Sequence, residues 1–94
     1  MPAVPSGGVE QWRELVCSAP FVWDCGWALR VIGCESGGNP NAVSYHGPYN
    51  GLWQVYLGPF DPYLNTVEAN IQFHEWRRDE RIVSPWPVCG ATYP

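Results

Sequence analysis

The stretch "DCGWALRVIGCESGGNP", residues 24–40, carries both ends of a helix and an acid in its last turn. Asp24 is a good N-cap, because its carboxylate can accept from the unpaired amides of a first turn. Gly37 and Gly38 followed by Pro40 are a good stop: glycine takes the left-handed conformation that closes a helix, and proline cannot continue one. The pattern predicts one helix over 24–36. Ala28, Val31, Ile32 and Glu35 recur at i, i+3, i+4 and i+7, so a carboxylate continues the apolar stripe. Glu35 also falls at the negative end of the helix dipole. Desolvation and the dipole both disfavour the ionised form, which predicts a raised pKa. An acid still protonated near neutral pH suits proton donation to a leaving oxygen. The plain structural alternative is that Glu35 frays into solvent past the stripe.

Four cysteines frame this helix: Cys17, Cys25, Cys34 and Cys89. They contain no Cys-x-x-Cys pair, and only His46 and His74 could join them, so disulfides are expected rather than a metal site. On a helix, Cys25 and Cys34 lie about 13 Å apart, beyond the roughly 7 Å that a disulfide spans. Two pairings survive. Cys17–Cys25 with Cys34–Cys89 is favoured, since the first bond staples consecutive helices and the second ties the C-terminal tail beside Glu35. Bridges of this kind belong to an oxidising compartment.

The chain has 94 residues and a formal charge of −4, with five arginines and no lysine. That length suggests one domain over 1–94, with a thin core that bridges and the six Trp, five Tyr and three Phe must supplement. The acidic balance argues against nucleic acid, which calls for a basic patch. No apolar run approaches the ~20 residues of a membrane span. The start, "MPAVPSGGV", lacks the basic and apolar parts of a signal peptide, so the chain reads as a mature domain with an added Met, or as a phage protein exported by other means.

Val9 to Val16 reads as a short first helix with Trp12, Leu15 and Val16 inward. Ala42 to Tyr56 holds short β-prone pieces broken by "HGPYNG", where Asn50-Gly51 signals a small, irregular hairpin. Asp61-Pro62 marks a turn. Asn65 or Thr66 is expected to open a second long helix reaching about Arg78, with Glu68 in capping-box position. Asn70 and His74 interrupt its apolar arc, either as satisfied polar groups or as the lining of a groove. The result is an α+β chain, mainly α, with a short hairpin and disulfide staples.

"ALRVIGCESGGNPNAVS", "NGLWQV" and "DPYLNTVEANIQF" together resemble the lysozyme-like transglycosylase family, in its goose-type lysozyme and soluble lytic transglycosylase branch. The resemblance is strongest over 27–86. It implies a small lysozyme-like catalytic domain in which Glu35 is the single general acid/base and Ser36 lies near that carboxylate or the substrate. It also implies that Gly51, Leu52, Trp53 and Gln54 form the Gly-Leu-aromatic-Gln segment, with Gln54 facing the groove. Asp61, Pro62, Asn65 and Asn70 match the opening of the family's next long helix. The Tyr-Asn-Ala-Gly segment of many lytic transglycosylases is absent, and "SPWPVC" looks like the ending of cysteine-containing actinobacterial and phage members.

The implied reaction is cleavage of the β-1,4 bond between N-acetylmuramic acid and N-acetylglucosamine in peptidoglycan, with no cofactor and no metal. No convincing second carboxylate emerges: Asp24 reads as a cap, Asp61 as a turn residue and Glu68 as a first-turn charge. Without a base for water, a 1,6-anhydro product is slightly favoured over hydrolysis. Flat apolar faces suit pyranose rings, so Trp53, Tyr45, Tyr49, Tyr56 and Tyr63 are candidate sugar binders, alongside Ser36, Gln54 and Asn70. Trp12, Trp27, Phe73 and Trp76 are assigned to the core. The expected partner is the peptidoglycan glycan strand, met by a monomer outside the cell, at the wall, or as a phage-borne lysin. The competing reading is a glycan-binding module with little turnover.

Overall fold

A computed structural model describes residues 8–44 and 46–94. A 3-10 turn over Glu10–Trp12 leads into the short helix α1, Arg13–Val16. Helix α2 follows over Cys25–Ser36. Two-residue strands β1 (Tyr49–Asn50) and β2 (Val55–Tyr56) pair antiparallel, with Tyr49 opposite Tyr56. Helix α3 spans Pro62–Arg77, and an irregular tail closes the chain. The architecture is α+β, mainly helical, with two disulfides.

The ends of α2 follow from local chemistry. Asp24 accepts from the Trp27 amide at 2.7 Å. Gly37 sits at φ 65°, and its amide reaches the carbonyls of Gly33 and Ile32, which closes the last turn. Trp27, Ala28, Leu29, Val31 and Ile32 are buried. The first turn docks on this end too, through the Trp12 indole N–H donating to the Gly38 carbonyl at 2.7 Å.

Helix α3 begins earlier than its sequence suggests. Asp61, not Asn65, is the N-cap and accepts from the Leu64 amide at 3.0 Å. Pro62 takes the first helical position, where its fixed φ is already helical and no amide is lost. Asn65 is freed for another task. Buried inside the helix, it accepts from the Trp53 amide at 2.9 Å and donates to the carbonyls of Asn50 and Pro59. Two of these bonds fasten the β1–β2 hairpin to α3, and the one to Pro59 ties down the loop that follows β2. Only glycine fits at position 51, which has φ 80° and where a Cβ would come within 2.4 Å of Asn65 Nδ2.

The core is largely aromatic. Trp53 stacks on Trp23 at 4.4 Å between centroids and meets Trp86 at 5.2 Å. Trp27 meets Phe73 at 5.4 Å. Each indole N–H in this cluster has an acceptor, as burial demands: Trp23 at Val16 O, Trp27 at Thr92 O, Trp53 at Thr66 Oγ1, and Trp86 at Trp53 O. Cys17 is bonded to Cys25 and Cys34 to Cys89, which commits all four sulfurs and fits an extracellular or cell-wall setting. Among the described residues, no helix is long and apolar enough to cross a membrane.

Candidate active site

Glu35 follows the buried run of α2 and is itself half-buried. It borders a cleft of about 230 Å3 lined by three segments. Helix α2 gives Glu35, the β region gives Ser44, Tyr49 and Gln54, and the tail gives Pro85, Trp86 and Pro87. Burial pushes the Glu35 carboxyl above its ordinary pKa, because a poorly solvated site disfavours charge. No described residue forms a hydrogen bond or ion pair with this carboxylate. It is also the one carboxylate among the described residues that line the cleft.

Gln54 is held in a fixed orientation. Its Nε2 donates to the Ala42 carbonyl at 3.1 Å and to the Gly51 carbonyl at 3.0 Å. Both amide hydrogens are engaged, so its Oε1 remains as an acceptor. The residue also adopts φ 51°, a left-handed backbone that non-glycine residues hold at a cost of about 1–3 kcal/mol and that clusters at functional sites. Tyr49 supplies an aromatic ring, with the Tyr56 ring 5.4 Å away.

A larger and more open depression, about 530 Å3, lies beside α1, lined in part by Trp12, Glu14, Leu15 and Tyr63. Its acid, Glu14, is exposed, whereas Glu35 is half-buried within the walls of the smaller cleft. Chemistry favours the smaller cleft.

The chain is similar to the resuscitation-promoting factor RpfC of Mycobacterium tuberculosis, with 33% identity over 75 residues. The matched region is 73% of this chain and 50% of RpfC, so the chain spans half the length of that relative. No family model matches the chain, and no solved structure does.

Of the residues singled out from the sequence, Glu35, Tyr49 and Gln54 meet at the cleft. Trp53 requires correction. It is 0% exposed, stacked on Trp23 and bonded through its indole to Thr66, so it presents no face to a sugar. Ser36 does not line the cleft either. Its hydroxyl donates to the Ile32 carbonyl and accepts from the Gly38 amide, which makes it part of the helix stop. Asn70 is 9% exposed on α3 and outside the cleft lining, and its buried Nδ2 has no hydrogen-bond partner among the described residues. Tyr56, paired across the strands with Tyr49, is exposed and is not among the lining residues. Tyr63 packs 5.4 Å from Phe21, beside the other depression. Tyr45 lies outside the described residues. Ser44, Pro85, Trp86 and Pro87 are the lining residues that sequence reasoning missed. For the tail, the signal was present: a Cys34–Cys89 bond brings "SPWPVC" to the residue next to Glu35.

Proposed function

We propose that this chain cleaves the β-1,4 bond between N-acetylmuramic acid and N-acetylglucosamine in peptidoglycan, with Glu35 as its single general acid/base. The observation that carries this reading is a half-buried acid, raised in pKa by desolvation, in a cleft beside a fixed acceptor and an aromatic ring. Similarity to RpfC is in keeping with it. The protonated carboxyl donates its proton to the glycosidic oxygen as that bond breaks, and the aglycone leaves as an alcohol. The positive charge that develops at C1 is then met by an oxygen nucleophile. Glu35, now a carboxylate, is placed to take that nucleophile's proton and so return to its starting state. Asp24 and Asp61 are occupied as helix caps. With no second carboxylate in the described lining, the sugar's own C6 hydroxyl is favoured over a base-activated water as the nucleophile. That choice yields a 1,6-anhydro end and makes the chain a lytic transglycosylase rather than a muramidase.

The chain acts, on this reading, as one catalytic domain over residues 1–94, as a monomer, outside the cell or at the wall; a phage-borne lysin would act on the same substrate. The missing second carboxylate also motivates the alternative, a module that binds glycan with little turnover. Digestion of purified peptidoglycan by the wild type and by Glu35→Gln, with products identified by mass spectrometry, separates these. Anhydro-muropeptides released by the wild type alone are the expected result. Reducing ends carrying an added water would indicate a muramidase. Absence of product from a folded, oxidised wild type would favour the binding module.

A further inference from the structure

With Trp53 in the core and Trp86 3% exposed, the described residues give the cleft no exposed indole on which a sugar could stack. Among the described lining residues, the apolar surfaces are the Tyr49 ring and the two prolines that flank Trp86. Those prolines have no amide hydrogen and a fixed φ, so they offer rigid CH surface without donors. The segment that carries them is anchored at several points. The Trp86 indole is 3% exposed and donates to the Trp53 carbonyl at 2.8 Å. The Ser84 hydroxyl donates to the Gly90 carbonyl and accepts from the Trp86 amide. The Gly90 amide returns to the Trp86 carbonyl, and Cys89 is bonded to Cys34, next to Glu35.

The geometry points to Pro85 and Pro87 as the apolar wall of the glycan site: their rings take the CH face of a pyranose, and the Cys34–Cys89 bond fixes that wall beside Glu35. This assignment rests on the glycan-cleaving reading above and extends it to substrate contact. Ser44, Tyr49 and Gln54 are left for the ring's oxygens and acylamino groups. The buried Trp86 is a positioning residue, since it acts through the prolines on either side of it. The wall therefore belongs to binding and not to proton transfer.

The test uses soluble β-1,4-linked N-acetylglucosamine oligomers with the full chain. Affinity is measured by calorimetry in the Glu35→Gln background, which prevents turnover. KM and kcat on peptidoglycan are measured with Glu35 intact. Pro87→Ser and Pro85→Ser are expected to weaken oligomer binding about five- to tenfold, the loss of roughly 1 kcal/mol of apolar contact. They should raise KM while leaving kcat within about twofold. Pro87→Val, which keeps apolar surface, should recover part of the binding. Pro87 is exposed, so its variants are expected to fold even where Pro85→Ser is not. Oligomer binding that is unchanged in both serine variants overturns the wall and leaves the cleavage reading intact. Cleavage of peptidoglycan without oligomer binding overturns the wall alone. Failure of both binding and cleavage removes the glycan reading and the wall with it.

Discussion

Glu35 is a case in which a single side chain destabilises the fold in the form it adopts at high pH. Its carboxyl is pushed up by burial, so the folded state holds its proton to a higher pH than the unfolded chain, where a Glu titrates near 4.3. The sign follows from linkage. Below the unfolded value both states are protonated and there is no penalty; as pH rises through the folded value, the relative stabilisation is lost. Glu35→Gln keeps the shape and removes the charge, so it should be more stable than the wild type near pH 7–8. The two should converge near pH 4, with about 1.4 kcal/mol of difference for each pH unit by which the titration is displaced. Urea unfolding of both proteins across pH 3–8 measures this, and parallel curves would show that Glu35 is solvated like any surface acid. If Glu35 is the general acid proposed above, the same substitution should lower cleavage of peptidoglycan by about 10²–10⁴. Asn70 offers a complementary test, since its buried Nδ2 lacks a partner among the described residues. Asn70→Leu removes an unsatisfied donor, so thermal stability should hold or rise, with activity retained. A loss of activity in a folded Asn70→Leu would restore Asn70 as a substrate ligand.

The elements differ in how far they could be read from local sequence. In α2, the cap, the stripe and the stop all lie within one short stretch, and all act over three or four residues. The burial of Ala28, Val31 and Ile32 therefore follows the spacing directly. Helix α3 offers two competent caps, Asp61 and Asn65, and the string does not rank them until Pro62 is recognised as a first-turn residue instead of a turn marker. Asp61→Ala should consequently cost about 1 kcal/mol, as loss of an N-cap does. Asn65→Ala should cost more, roughly 2–4 kcal/mol, because it orphans the Trp53 amide and the carbonyls of Asn50 and Pro59. Comparing the two by chemical denaturation tests the helix start. Equal and small losses would mean that Asn65 does not carry the turn. The "GLWQ" segment was legible as a unit but not in its facing. In a four-residue turn, alternation does not decide which side chain goes inward; here Trp53 turns to the core, while Gln54, at φ 51°, turns to the cleft. The tail was legible only through its cysteine, because proline-rich extended chain carries no periodicity to place it.

At the scale of the whole molecule, a chain this short buries only about 60–65% of its unfolded surface, and its aromatic cluster draws on every part of the sequence. Trp23, Trp53 and Trp86 come from the α1–α2 loop, the β region and the tail. Such a core can form only when the C-terminal tail is docked, and the two disulfides bear on that condition unequally. The chain-entropy relation assigns about 4 kcal/mol to Cys34–Cys89, which spans 55 positions, and about 2.5 kcal/mol to Cys17–Cys25, which spans 8. Replacing each pair with serines should therefore lower Tm by different amounts, with the Cys34/Cys89 variant melting roughly 6–12 °C below the Cys17/Cys25 variant. The long bridge should also control local opening. The Gly90 amide, bonded to the Trp86 carbonyl, should exchange with solvent faster in the Cys34/Cys89 variant, while amides in the middle of α2 change only with global stability. Calorimetry and hydrogen exchange on the two variants separate these effects. Equal losses of Tm would mean that local packing around each bridge, and not the length of chain it closes, sets its contribution; unchanged exchange at Gly90 would mean that the Trp86 anchor alone holds the tail against the cleft.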